Sequence, residues 1–177
     1  MKEDTMSKST LQSDEGAECT SFLDMPGYLL RRCHQIAVAI FLEECRDFDL
    51  TPLQYVTLAA LDRFGSMDQV TLGGVTALDR TTILGVLRKL EERALITRTT
   101  SDKDKRANIV AITEDGRRTA RAALPNIQEV QKAILSPLNG HERARLLKLL
   151  KKLADGNNGL SRAPYRLPSL RAVSTRE

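Results

Sequence analysis

The feature that most constrains the fold lies in the middle of the chain, where a helical pattern gives way to two short β-branched runs around a charged turn. Apolar residues three and four positions apart predict an amphipathic helix over residues 80–93. Residues 95–100 and 108–112 are rich in Ile, Val and Thr, which predicts two strands. Between them stands the polar sequence Ser101–Arg106. A hairpin with a charged tip is therefore expected directly after a helix.

Two more helices are predicted immediately before this unit. Thr51 is a good N-cap, and Pro52 suits the first position of a helix that ends before Gly65. A short helix follows at about residues 69–76, and after a turn Asp79 can cap the next helix. Helix, short helix, capped helix and hairpin is the element order of a winged helix-turn-helix, whose capped helix can enter a DNA major groove.

Long helices are predicted on both sides of this unit, at about residues 27–47, 114–135 and 140–154. The apolar positions of the last two helices are Leu124, Ile127, Val130, Ile134, Leu138, Leu146, Leu147, Leu149, Leu150 and Leu153. They present more apolar surface than one helix pair can bury, which predicts a dimerisation bundle. An intramolecular bundle is the alternative.

The predicted fold class is mainly α, with an α+β winged helix-turn-helix and N- and C-terminal helices that form a dimerisation bundle. We assign residues 51–113 to the winged helix-turn-helix and residues 25–50 and 114–155 to the bundle. Residues 1–24 and 156–177 are polar or broken by Pro and Gly, which predicts a flexible leader and a flexible tail.

The charge of the chain is concentrated around the predicted hairpin. The formal net charge is +4, and the stretch Arg88–Arg121 holds ten Lys and Arg against six Asp and Glu, which leaves 17 of each elsewhere. One segment thus carries the whole excess, as a nucleic-acid contact surface does. A solvated basic face with no partner is the alternative.

Other classes of protein find little support in the sequence. No apolar run is long enough for a membrane span and no signal peptide is visible, so we expect a cytoplasmic protein. No P-loop, GxGxxG, HExxH or GxSxG motif occurs, and His34 and His141 are far apart, so we expect no enzyme and no cofactor. The three cysteines, Cys19, Cys33 and Cys45, lack the spacing of a zinc site or disulfide framework.

The central segment resembles the MarR family of regulators. The resemblance covers about residues 27–154, and its most specific parts are Leu87–Arg98 (LRKLEERALITR), Asp102–Arg106 (DKDKR) and Val110–Gly116 (VAITEDG), which contains the T-x-x-G sequence of the family. It implies a DNA-binding regulator, most commonly a repressor. Such a homodimer would place two recognition helices in successive major grooves of a near-palindromic operator.

The resemblance implies roles for the hairpin tip, or wing. Arg106 would enter the minor groove, Asp104 would brace the wing, and Lys103 and Lys105 would contact phosphates.

On the recognition helix, the face opposite the predicted core stripe (Ile83, Val86, Leu87, Leu90) is expected to contact DNA. Arg80 and Thr81 lie on its first turn, and Thr82 beside them is expected to reach a phosphate. Arg88 either contacts a phosphate or pairs with Glu91 or Glu92. Three residues depart from the family pattern. Many relatives carry polar or basic side chains where this chain has Leu84 and Gly85, and the family usually has Gly where this chain has Ala94.

MarR-like proteins also bind a small, often aromatic and anionic effector. The candidate contacts here are Arg31, His34, Phe41, Tyr55 and Arg63, because a carboxylate suits Arg or protonated His and a ring suits an aromatic side chain. The segment Pro26–Gln35 is similar to relatives that govern the breakdown of aromatic acids. A redox sensor with Cys33 or Cys19 as the reactive thiol, and a winged helix that binds protein without DNA, are the alternatives.

Overall fold

The computed structural model describes residues 21–100 and 108–168, and it divides into two compact units, one up to Gln35 and one from Ile36 onward. The described residues form six α-helices and three β-strands. In chain order these are α1 (Pro26–Glu44), α2 (Pro52–Phe64), β1 (Met67–Asp68), α3 (Gln69–Thr76), α4 (Arg80–Glu92), β2 (Ile96–Thr100), β3 (Asn108–Ile112), α5 (Glu114–Ile134) and α6 (Gly140–Gly156). The predicted fold class, a mostly helical winged helix-turn-helix with a small antiparallel sheet, is confirmed.

The start of α2 shows why local sequence predicts this helix well. The Thr51 hydroxyl accepts a hydrogen bond from the Gln54 amide at 3.3 Å, and the Gln54 side chain accepts one from the Thr51 amide at 2.8 Å. This reciprocal capping box satisfies two amides that have no partner inside the helix. Pro52 occupies the first turn, and Gly65 ends the helix with a φ of 79°. All three predicted signals for α2 are therefore confirmed.

The sheet contains a strand that sequence patterns do not predict. β3 lies in the centre, between β1 and β2, and both pairs are antiparallel, with Met67 opposite Val110 and Ile96 opposite Ile112. β1 has only two residues, too few for an alternating pattern, so its strand conformation depends on pairing with a segment some 40 residues away. This pairing holds the start of α3 against the base of the hairpin.

The main core lies where α2, α3 and α4 pack on the sheet. Its fully buried members include Leu58, Leu61, Leu72, Leu87 and Val110. A second, smaller cluster joins the end of α1 to α5 through Phe41, Cys45 and Val130.

Polar contacts add to the packing between these helices. Arg117 and Arg121 of α5 both pair with Asp62 of α2, and the Asn126 side chain donates a hydrogen bond to the Glu44 carbonyl at the end of α1.

The described residues include short parts of the predicted flexible leader and tail, whose flexibility stays a prediction. Ser21 accepts a hydrogen bond from the Leu23 amide and caps a single 3-10 turn at Phe22–Asp24. At the other end, α6 runs to Gly156, and residues 158–166 form side-chain and backbone hydrogen bonds. The first helix also stops earlier than expected, at Glu44, because a 3-10 turn at Arg46–Phe48 leads into Asp49 with a left-handed φ of 49°.

Among the described residues, no single helix is long and apolar enough to cross a membrane. Only α3 and α4 taken together reach the necessary length and composition, and their axes are bent by 106°.

Candidate DNA-binding interface

The first turn of α4 is held by the carboxylate of Asp79. One carboxylate oxygen accepts hydrogen bonds from the amides of Thr81 and Thr82, each at 3.0 Å, and the other accepts the Thr82 hydroxyl at 2.8 Å. These bonds, led by the one from the Thr82 amide, hold the pKa of Asp79 below its usual value, and the positive charge of Arg162 lowers it further. The predicted cap is confirmed, and the Thr82 hydroxyl is already occupied by it.

The two faces of α4 are as the sequence predicts. Ile83, Val86, Leu87 and Leu90 are buried and anchor the helix in the core.

On the opposite face of α4, Arg80, Thr81 and Arg88 are exposed. Thr81, Leu84, Gly85 and Arg88 line a shallow depression of about 360 Å³ together with Arg98 of β2. The structure thus brings most of the predicted recognition residues onto one accessible surface.

Two arginines near this surface form ion pairs of different strength with carboxylates. Arg88 lies 3.8 Å from Glu92, and both side chains are largely exposed, so water weakens this pair. Arg98 instead forms a two-pronged contact with one oxygen of Glu91, with its Nε at 2.8 Å. This hydrogen bond lowers the pKa of Glu91. Arg98 thus ties the hairpin to α4, whereas Arg88 can exchange its partner for a phosphate.

The turn after α4 has the strained backbone expected at Ala94, where the family usually has Gly. Ala94 has a φ of 55°, in the left-handed region that favours glycine. The Leu95 amide donates to the Leu90 carbonyl at 2.9 Å, and the Ala94 amide donates to the Glu91 carbonyl at 2.8 Å. Both bonds satisfy carbonyls at the helix end, which stabilises the turn despite the strain.

The T-x-x-G sequence joins the hairpin to α5. The Thr113 hydroxyl accepts a hydrogen bond from the Gly116 amide at 3.0 Å and donates one to the Ala94 carbonyl at 2.8 Å. A Cβ at Gly116 would overlap the carbonyl of Leu95. The glycine is therefore required because the start of α5 passes directly over the backbone between α4 and β2, and the hairpin is held at both of its ends.

The tip of the wing lies outside the described residues. β2 and β3 are described as far as Thr100 and Asn108, which lie opposite each other. Lys103, Asp104, Lys105 and Arg106 fall between them. Their expected DNA contacts stay predictions.

The predicted effector residues fall into two groups. Arg31 and His34 are exposed on α1, within the unit that ends at Gln35, and the Arg31 guanidinium lies 5.5 Å from the centre of the Tyr28 ring. In the other unit, Phe41 is only 6% exposed and its ring lies 6.3 Å from that of the half-buried Tyr55. Arg63 is exposed beside the Phe64 ring. Phe41 is thus a core residue, and its expected effector contact stays a prediction.

The cysteines differ in their surroundings. Cys33 is exposed and Cys45 is buried, while Cys19 lies outside the described residues. Burial, together with the charge of Glu44, raises the pKa of the Cys45 thiol. Cys45 is therefore a protonated core residue and a poor nucleophile.

Comparisons with known proteins agree with this geometry. The MarR family model matches residues 50–107. The chain is 34% identical over 154 residues to the HTH-type transcriptional repressor NicR of Pseudomonas putida. The matched region covers 86% of this chain and 98% of NicR. A solved structure of BpsR from Bordetella bronchiseptica is similar, with 34% identity and a TM-score of 0.72. That similarity covers 76% of this chain and 96% of BpsR. The DNA binding of BpsR is regulated by 6-hydroxynicotinic acid.

A further solved structure shows a relative on DNA. The repressor CouR bound to a 23-mer duplex has 28% identity and a TM-score of 0.68, covering 73% of this chain and 92% of CouR. The capped recognition helix, the braced hairpin and these similarities lead to one conclusion. The chain belongs to the MarR family of DNA-binding transcriptional regulators.

Proposed function

We propose that this regulator is a repressor that binds a pseudo-palindromic operator as a homodimer and releases it when a small aromatic carboxylate binds. The observation that carries the proposal is the outer face of α4, where Arg80, Thr81 and Arg88 are exposed opposite a buried stripe. A helix anchored in this way can insert its N-terminal turns into a major groove. The name of the relative NicR supports repression.

The proposed contacts divide into base-reading and phosphate-binding residues. Arg80 and Thr81 stand on the first turn of α4 and read base edges, while Arg88 binds a phosphate after leaving Glu92. The Thr82 hydroxyl stays on Asp79, so Thr82 contributes through the cap. In the wing, Lys103 and Lys105 bind phosphates and Arg106 enters the minor groove, with Asp104 bracing the tip.

The apolar surface of α6 supports a homodimer. No residue of α6 is buried, and Leu147, Leu149, Leu150 and Leu153 are each 40–55% exposed. Four large apolar side chains on one helix form a patch that a partner helix is expected to cover. A second copy of this chain is the partner that places two recognition helices on one operator.

The effector is proposed from the relatives and from the chemistry of the candidate residues. BpsR is described as regulated by 6-hydroxynicotinic acid, an aromatic carboxylate. Arg31, His34 and Arg63 are exposed cationic or titratable groups that suit a carboxylate, and Tyr55 is a half-buried ring beside Phe41. We therefore expect 6-hydroxynicotinic acid or a close analogue to weaken operator binding.

Fluorescence anisotropy with the DNA upstream of the chain's own gene tests the DNA-binding function. We expect tight binding that resists non-specific competitor DNA and weakens as salt rises, because phosphate contacts release counterions. Arg106→Ala should weaken it, whereas Arg118→Ala, which removes an equal charge from α5, should not. Binding equal to that of random DNA would refute specific recognition of this sequence, and salt-insensitive binding to a protein alone would favour the protein-binding winged helix.

The same assay tests the effector and its redox alternative. Added 6-hydroxynicotinic acid should release the DNA, and Arg31→Ala should raise the concentration needed. If the acid has no effect but an oxidant releases the DNA from the wild type and not from Cys33→Ser, the thiol-based alternative is correct and the carboxylate proposal fails.

Sedimentation velocity tests the dimer. Leu150→Glu places a charge in the proposed interface, and we expect the mass to fall from twice 19.7 kDa to 19.7 kDa. Leu160→Glu is the matched control, since Leu160 is an exposed leucine beyond α6. A wild type that sediments as a monomer would contradict the homodimer.

A further inference from the structure

The segment after α6 has a defined shape of its own. We call residues 158–168 the C-terminal arm. The Asn158 side chain donates a hydrogen bond to the Tyr165 carbonyl at 3.0 Å and accepts one from the Tyr165 amide at 2.7 Å. Ser161 accepts a further bond from the Ala163 amide at 3.1 Å. These bonds close the arm into a loop and reduce the entropy it would lose on binding a partner.

The arm lies against α3 of the helix-turn-helix. The Arg166 amide donates a hydrogen bond to the Gly74 carbonyl at 3.0 Å. A Cβ on Gly74 would lie 3.4 Å from the Arg166 Cβ, an ordinary van der Waals distance, so the arm and α3 are in direct contact at this point. This contact is made by the backbone of Arg166, and the residue is exposed.

The arm forms one wall of a cleft of about 990 Å³ beside the recognition helix. The other walls come from α3, from the first turn of α4 and from the start of β3. Three guanidiniums line the cleft: Arg80 of α4, and Arg162 and Arg166 of the arm. All three are exposed.

The two carboxylates that also line this cleft are engaged with helix ends. Asp68 accepts hydrogen bonds from the amides of Val70 and Thr71 at 2.9 and 3.0 Å, and Asp79 caps α4. Helix N-termini carry partial positive charge that offsets such carboxylates. The rim of the cleft therefore offers a cationic surface next to the turn of the helix that enters the major groove.

We propose that the C-terminal arm is part of the DNA interface, with Arg162 and Arg166 binding backbone phosphates beside the first turn of α4. The inference rests on the DNA-binding function proposed above. Nothing in that function requires the arm, because the helix-turn-helix and wing end at residue 113. Phosphate contacts beside the recognition helix set its position in the groove, and arginine binds phosphate through two parallel hydrogen bonds.

The placement of the arm favours a contribution to binding over a block. Thr81, Gly85 and Arg88, on the outer face of α4, line the adjacent depression shared with Arg98. Leu84 lines both that depression and the cleft, but no residue of the arm lines the depression. The arm thus extends the edge of the recognition surface and leaves its centre accessible.

The test uses the full chain with Arg162→Ala and Arg166→Ala combined. Each lost phosphate contact lowers the slope of log K against log salt by about 0.9, so two contacts per protomer lower it by about 2 per protomer. Operator and random DNA should lose affinity in parallel, by about tenfold or more at low salt, since phosphates carry no sequence information. Arg162→Lys with Arg166→Lys should keep most of the slope, because the charges remain.

The matched control removes two charges from α5, with Arg118→Ala and Lys132→Ala, both exposed and outside the cleft. This control should leave the slope unchanged. An arm variant with wild-type affinity and slope would overturn the inference, and one that binds DNA more tightly would show that the arm competes with DNA. Failure of the wild type to bind its operator would instead refute the proposed function.

Discussion

A substitution at Gly116 tests whether the junction between the hairpin and α5 is as tight as the structure indicates. A Cβ at this position would overlap the Leu95 carbonyl and lie 3.0 Å from Cγ1 of Ile112. The carbonyl belongs to the backbone between α4 and β2, so it cannot turn away like a side chain. Overpacking in a core costs about 1–3 kcal/mol, and a rigid neighbour places Gly116→Ala at or above about 3 kcal/mol.

The same substitution should disturb the hydrogen bonds of the cap. The Gly116 amide donates to the Thr113 hydroxyl, which donates in turn to the Ala94 carbonyl, so a shift of α5 breaks both bonds. Urea denaturation measures the effect on the free energy of unfolding. For a protein of this size, a loss of about 3 kcal/mol corresponds to a fall in Tm of about 6–12 °C. All variants must be compared at one protomer concentration, because dimerisation contributes to stability.

Gly85→Ala is the matched control. Gly85 lies inside α4, and a Cβ there meets no atom within 4 Å. The same chemical change should therefore raise the free energy of unfolding by about 0.5–1 kcal/mol, because alanine has the higher helix propensity. A Gly116→Ala variant as stable as the wild type, or a Gly85→Ala variant that loses as much stability as it, would refute this reasoning.

Two further substitutions probe the backbone around the helix-turn-helix. Ala94→Gly should raise the free energy of unfolding by about 1 kcal/mol, because it removes the strain of the left-handed φ of 55°, and urea denaturation that shows a loss would contradict this. Asp68→Ala removes the cap of α3 and should lower the free energy of unfolding at neutral pH by about 1 kcal/mol. Although burial alone would raise the pKa of Asp68, hydrogen bonds from Thr71 and Val70 hold it below the ordinary value. The stability difference between wild type and variant should therefore be full above the ordinary carboxyl pKa and disappear as the pH falls through the lowered one; a difference independent of pH would exclude the charged cap.

The residues proposed for DNA binding show which features can be predicted from local sequence and which cannot. The buried stripe and the cap of α4 depend on residues no more than four positions apart, so their pattern can be recognised without a fold. The partner of Arg98 could not be predicted in this way, because Glu91 belongs to the preceding helix and approaches β2 only when the chain turns back at Ala94. The Arg88–Glu92 pair, spaced by one helical turn, was among the predicted alternatives.

The sequence by itself determined the helices, their caps, the hairpin and the family, because each follows from interactions between near neighbours or from a contiguous motif. The tertiary structure alone decided which distant segments meet. It pairs Met67 and Asp68 with β3, joins Asp62 to Arg117, and lays the arm along α3 at Gly74. Such contacts depend on closing long stretches of chain, and the many residues between the partners carry no periodic signal of the pairing.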